Sequence, residues 1–221
     1  MSAARAKLGV LVSGSGSNLQ ALLDACAQAD FPAEVACVVS NVPTAFALER
    51  ARKAGAPAVV VEHKAFPSKG EFERALLDAL RAHGVEWVCL AGFMRLVSAD
   101  FLGAFSGRVL NIHPSLLPAF PGLHAQRQAL ERGVKIAGCT VHLVDAGTDT
   151  GPIIAQAAVP VLPEDDEKSL SARILAEEHR LYPLAVRLAV TGKVVAEGIR
   201  TRVDAQPSID GLALRSPGAP S

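Results

Sequence analysis

Absences narrow this chain of 221 residues before any motif is read. Neither charge is in excess: 22 Lys and Arg residues balance 22 Asp and Glu, which removes the electrostatic case for wrapping nucleic acid or lying on an anionic membrane. No apolar run approaches the roughly 20 residues of a membrane span. Leu8 to Val12 is too short for the core of a signal peptide and gives way at once to a turn at Gly14 to Asn18. The four cysteines, Cys26, Cys37, Cys89 and Cys139, lack paired spacing and each sits in an apolar segment. They read as small buried thiols in a reducing compartment, so a cytoplasmic protein is expected. There is no G-x-S-x-G to mark a serine nucleophile, and no internal repeat or low-complexity stretch.

What is present is ordinary globular material. Half the residues are apolar and a fifth charged, and the length suffices for one large α/β domain or two small ones. Buried runs alternate with amphipathic periodicity. Strands are expected at Leu8–Val12, Ala33–Val39, Ala58–Val61, Glu86–Ala91 and Val109–Ile112. Helices are expected from Leu19 to Cys26, with apolar residues at i, i+3, i+4 and i+7, then near Ala45–Ala54 and Glu71–Ala82. Such alternation implies right-handed βαβ units and a doubly wound, mostly parallel, Rossmann-like α/β sheet. Further on come a short helix Ala125–Glu131 and strands Gly138–Val144 and Ile153–Val161, with the sheet turning antiparallel through the 145–152 connection. Glu164, Asp165, Asp166 and Glu167 then precede a helix whose dipole suits them, and Pro183 should kink that helix or start another. The expected organisation is a single domain over 1–203, with a phosphate-binding half 1–105 and a catalytic half 106–203. A loosely ordered tail, 204–221, follows.

Several segments carry chemistry. Ser13-Gly14-Ser15-Gly16-Ser17-Asn18 links the first strand to the first helix; its glycines let backbone N–H groups approach an anion at a helix N-terminus. It is either a cradle for a monophosphate or a structural turn. A dinucleotide fits poorly, because Leu19 stands where the third glycine is needed and Ser40-Asn41 offers no acid for a ribose. Asn111 and His113, two apart on a strand, must share a face, and Pro114 and Pro118 stiffen the loop beyond. Thr140 and His142 likewise share a face. In an open α/β sheet ligands bind beyond the carboxyl ends of the strands, where Gly14–Asn18, Gly92–Val97 and Asn111–His113 all lie. With Asp149, from the acidic and glycine-rich turn Asp145–Pro152, Asn111 and His113 supply a neutral donor, a titratable base and a carboxylate. This is a toolkit for acyl transfer without a nucleophilic residue. A zinc site from His113, His124 and His142 stays open, although their spacing follows no ligand motif.

The motifs Ser13–Gln20, Leu90–Arg95, Leu110–Pro118, Pro121–His124 and Asp149-x-Gly151-Pro152, in that order, resemble the folate-dependent phosphoribosylglycinamide formyltransferases as far as about Val195. The resemblance implies their formyltransferase fold and a formyl transfer in purine biosynthesis, with 10-formyltetrahydrofolate as co-substrate, glycinamide ribonucleotide as acceptor and no metal. It implies phosphate binding by Gly16, Ser17 and Asn18, a ribose contact from Glu178, and catalysis by Asn111, His113 and Asp149. Folate contacts would come from Met94, Arg95, Leu96 and Val97, from Asn111, and from the loop Asp145, Ala146, Gly147, Thr148 and Asp149, with Lys69 meeting the glutamate tail. No nucleic acid or membrane partner is implied, and the protein would be a monomer or homodimer. Within the enzymes, methionyl-tRNA formyltransferase shares the Asn111-to-Pro118 module but is expected to add a C-terminal domain and basic excess. Formyltetrahydrofolate hydrolase is expected to add a region before the first strand. Outside the enzymes, a sugar-phosphate binding module would need the cradle but not Asp149 opposite His113.

Overall fold

The computed structural model describes residues 4–205. Seven strands form one sheet in the order β3-β2-β1-β4-β5-β6-β7: β1 Ala6–Val12, β2 Ala33–Ser40, β3 Ala58–Val60, β4 Trp87–Leu90, β5 Val109–His113, β6 Ile136–Leu143 and β7 Ile153–Pro160. The first five are parallel; β6 runs antiparallel to both β5 and β7. The reversal therefore falls between β5 and β6, one connection earlier than the 145–152 turn that the sequence suggested. The stretch 114–135, with helix α5 Ala125–Glu131, brings the chain back alongside β5 in the antiparallel sense.

The strand residues alternate between two cores, as a period of two demands. Leu8, Val10 and Val12 of β1, with Leu110 and Ile112 of β5, pack on one face with α1 Ser17–Cys26 and α6 Glu167–Val190. Leu11 and Val109 face the other side, with α3 Lys69–Ala82 and Phe101 of α4 Ala99–Ala104. α2 Phe46–Lys53 packs beside α1. On α1 the buried residues are Leu19, Leu22, Leu23 and Cys26, the four that the periodicity picked out.

Pro183 starts no new helix: it lies inside α6, which spans 24 residues in all. A mid-helix proline costs about 3 kcal/mol, and the flanking side chains outweigh it. Tyr182 is fully buried with its hydroxyl 3.0 Å from Leu90 O and 3.2 Å from Leu110 O, and Ala185 and Val186 are also at 0% exposure. The sequence reading passed over α4, a single 3-10 turn at His63–Ala65, and a hairpin of β8 Val194–Glu197 with β9 Arg200–Val203. Of the proposed tail, residues from 206 onward lie outside the described region.

Candidate active site

β5 is the strand beside which the sheet changes direction, and its end brings the reactive groups together. Asn111 pairs across β6 with His142, and His113 with Thr140, so all four side chains share one face. His142 Nδ1 lies 2.9 Å from Leu143 O and must carry its proton there. In the neutral ring its Nε2 then accepts from Asn111 Nδ2 at 3.2 Å; the same nitrogen lies 3.6 Å from Asp149 Oδ1, toward which the charged ring would donate. The second N–H of that amide donates to Asp149 Oδ1 at 3.3 Å. Asp149 Oδ2 accepts from Gly122 N at 2.8 Å and lies 3.2 Å from His113 Nδ1, while His113 Nε2 sits 2.9 Å from Phe120 O. Both ring nitrogens of His113 therefore face oxygen acceptors, an arrangement that the protonated ring satisfies at both ends.

This corner is strained as well as crowded. Among the described residues, the non-glycine positions with left-handed backbone are Phe120, His124 and Asp149, at φ 54°, 59° and 54°. Each is disfavoured by about 1–2 kcal/mol, and they cluster where Phe120 O and the Asp149 carboxylate must be aimed. Burial alone would push the Asp149 carboxyl up. The His142 contact, the Gly122 N–H and the two nearby imidazoles outweigh it and hold the group below its usual range.

The cradle lies two strands away, at the end of β1. Gly16 has φ 71°, and a Cβ there would fall 2.6 Å from Ala47 Cβ of α2, so only glycine fits. α1 starts without a side-chain cap and without an acid in its first turn, which leaves its leading N–H groups to an anion. Asn18 Nδ2 donates to Glu178 Oε2 at 2.6 Å, joining α1 to α6. Burial drives the Glu178 carboxyl above its usual range, against the opposing pull of Asn18.

Between cradle and catalytic corner runs the segment 94–97. Met94 and Leu96 are each 65% exposed, but both ends of the segment are tethered. Met94 N donates to Ser13 Oγ at 2.9 Å, Ser13 Oγ donates to Asn41 Oδ1 at 2.6 Å, and Ser98 N donates to the buried Glu73 carboxylate at 2.8 Å. Lys69 lies outside the catalytic corner: its Nζ is 3.7 Å from Glu73 Oε1, and with His63, Phe72 and Arg95 it lines a separate basic cleft of about 130 Å³. In the 145–149 loop, Asp145 Oδ1 accepts from Gly147 N at 3.1 Å and Thr150 Oγ1 at 2.7 Å, while Ala146 and Thr148 stay exposed. The zinc set left open by the sequence does not assemble. Among the described residues, no three His, Cys, Asp or Glu side chains group as a metal site. Nor, among them, is any helix long and apolar enough to cross a membrane.

The sequence reading missed the part His142 plays here, and the Phe120 carbonyl and Gly122 N–H. The signal for His142 was its shared face with Thr140, which becomes informative once β6 is laid antiparallel on β5.

The family model "Formyl transferase" matches residues 6–186. The chain is 45% identical to the phosphoribosylglycinamide formyltransferase of Escherichia coli (strain K12) over 84% of its own length and 87% of that protein's. It is 52% identical to the trifunctional purine biosynthetic protein adenosine-3 of Drosophila melanogaster over 87% of its own length, but spans only 14% of that longer chain. Among solved structures, glycinamide ribonucleotide transformylase 1 of Symbiobacterium toebii superposes with a TM-score of 0.89 at 59% identity, covering 90% of this chain and 94% of that one.

Proposed function

The chain belongs to the formyl transferase family, and from that premise we propose that it moves the formyl group of 10-formyltetrahydrofolate to the glycyl amine of glycinamide ribonucleotide, a reaction of purine synthesis. The observation that carries this reading is Asp149, which lies 3.3 Å from Asn111 and 3.2 Å from His113. These are a carboxamide, an imidazole and a carboxylate with no nucleophile among them. The residues fit the co-substrate: exposed Met94 and Leu96 offer apolar surface for a flat ring beside the catalytic corner, and Lys69 and Arg95 line a basic cleft suited to a carboxylate tail.

The formyl folate supplies an electrophilic carbon and a nitrogen leaving group. A free α-amine has a pKa of about 8, so the acceptor must shed a proton to attack. Attack leaves negative charge on the formyl oxygen. Asn111 meets it with the N–H now shared with Asp149 at 3.3 Å, its other N–H staying on His142. His113, held at both nitrogens by Phe120 O and Asp149, stabilises the oxyanion through the positive charge of its protonated ring rather than through a free N–H. Asp149 remains ionised, because its carboxyl is held below the usual range. It faces His113 Nδ1 at 3.2 Å, holding that ring in place, and draws the amine proton toward the folate nitrogen, through water.

In the cradle, Gly16, Ser17 and Asn18 take the phosphate and Glu178 the ribose. The binding roles thus cross the division into 1–105 and 106–203 halves, since Met94–Val97 lies in the first and Glu178 in the second. The test is to incubate the purified protein with 10-formyltetrahydrofolate and follow deformylation with and without glycinamide ribonucleotide. Deformylation that depends on the ribonucleotide is expected; equal loss without it would mean that water is the acceptor and the protein a hydrolase.

A further inference from the structure

The cradle depends on backbone direction, and α2 controls that direction. In a planar trans peptide the carbonyl and the following N–H point opposite ways, so whatever holds a carbonyl also aims the next amide. Gly14 O accepts from Ala47 N at 3.1 Å, and Ser15 O accepts from Arg50 Nε at 2.9 Å. Both acceptors are thereby turned toward α2, and the N–H groups of Ser15 and Gly16 are turned away from it, onto the side where α1 begins. Without these two bonds the loop could rotate a carbonyl into the cradle, where its negative end would oppose an anion. Arg50 is itself fixed: its Nη1 donates to Gln20 Oε1 at 3.2 Å, its guanidinium carbon lies 5.0 Å above the Phe46 ring, and its side chain is half-buried. Ala47 can hardly be varied, because its contribution is main-chain and its Cβ packs where a Gly16 side chain would stand.

We propose that Arg50 is a positioning residue for phosphate recognition: its Nε–H anchors Ser15 O so that the Ser15 and Gly16 amides face the substrate's phosphate. This rests on the reading of Gly16–Asn18 as the phosphate cradle. The role belongs to one N–H donor rather than to the charge, which permits a clean separation. Arg50→Gln puts an amide nitrogen three bonds beyond Cβ, where Nε stands, and removes the charge. Arg50→Met keeps the chain length with neither donor nor charge.

The experiment is steady-state kinetics on wild type and both variants, with glycinamide ribonucleotide and with its dephosphorylated riboside, and with inorganic phosphate as a competing anion. Losing one hydrogen bond from a charged donor corresponds to about a tenfold loss of affinity. Arg50→Met is therefore expected to raise KM for the ribonucleotide, and the inhibition constant of phosphate, by about tenfold. Its kcat, its KM for the formyl folate and its KM for the riboside should stay near wild type, and Arg50→Gln should recover most of the loss. Gln behaving like Met, a fall in kcat instead of a rise in KM, or no effect of Met would overturn the role of Arg50. A wild-type enzyme that used ribonucleotide and riboside equally would overturn the cradle itself, a separate failure visible before any variant is made.

Discussion

The catalytic corner and the binding loops are built on opposite plans. At the end of β5, Asn111, His113, His142 and Asp149 are locked to one another and to Phe120 O and Gly122 N, with strained backbone at Phe120 and Asp149. In the cradle and in the 94–97 segment the opposite holds: among the described residues the Ser15 and Gly16 amides and the exposed Met94 and Leu96 side chains take no hydrogen-bond partner, and the bonds lie around them, at Ser13, Ser98, Ala47 and Arg50, with Asn18 tied to Glu178. Chemistry on a developing charge gains from groups that need not move. Binding gains from surface left unsatisfied until the ligand arrives, provided that its frame is fixed. Substitutions in the first region should therefore lower kcat, and substitutions in the second should raise KM.

The sharpest way to break this contrast is at the corner. Asn111→Ala and His113→Ala are each expected to lower kcat about 100- to 1000-fold, about 2.7–4 kcal/mol, the usual cost of losing one charge-stabilising donor. The far-ultraviolet spectrum and melting transition should survive, since Leu110 and Ile112 carry the packing of β5. Wild-type turnover in folded His113→Ala protein would remove that residue from the mechanism. A smaller effect is expected from the frame of the 94–97 segment. Glu73→Gln keeps the shape but gives Ser98 N–H and Oγ–H a neutral partner, and Ser13→Ala removes the acceptor of Met94 N–H. Either should raise KM for the formyl folate by about fivefold, with kcat within about twofold of wild type, as befits one hydrogen bond. A kcat loss as large as that of Asn111→Ala would erase the distinction between the two regions.

How much of this was legible in the chain follows the same divide. Period-two alternation placed Asn111 and His113 on one face, and glycine chemistry marked the cradle, because both are local properties. The order of strands was not local. The return of β6 against β5, which sets His142 opposite Asn111 and so orients the amide, depends on how 114–135 folds back. Main-chain partners such as Phe120 O and Gly122 N have no side-chain signature at all. The new helix that Pro183 could have started does not form, for the reverse reason: a strong local rule yielded to the burial of Tyr182 and its neighbours. Lys69, placed by resemblance alone, sits beside Glu73 in a cleft distinct from the corner.

The subtlest difference between the regions lies in their two acids, which should tie stability to pH with opposite signs. Asp149 has a folded-state pKa below its ordinary 3.8, so its contribution is present above that value and is lost as pH falls through the depressed one. Glu178 has a folded-state pKa above its ordinary 4.5, because burial penalises its charge; its contribution is complete below 4.5 and is lost as pH rises through the raised value. Glu178→Gln keeps an oxygen to accept from Asn18 Nδ2 and removes that penalty. Measured by urea unfolding, the stability of Glu178→Gln relative to wild type should therefore climb from pH 4 to pH 7. The deficit of Asp149→Asn relative to wild type should be full at neutral pH and shrink only below 3.8. If the two differences ran in the same direction with pH, the assignment of one acid to a charge-stabilising corner and the other to a charge-penalising cradle would be wrong.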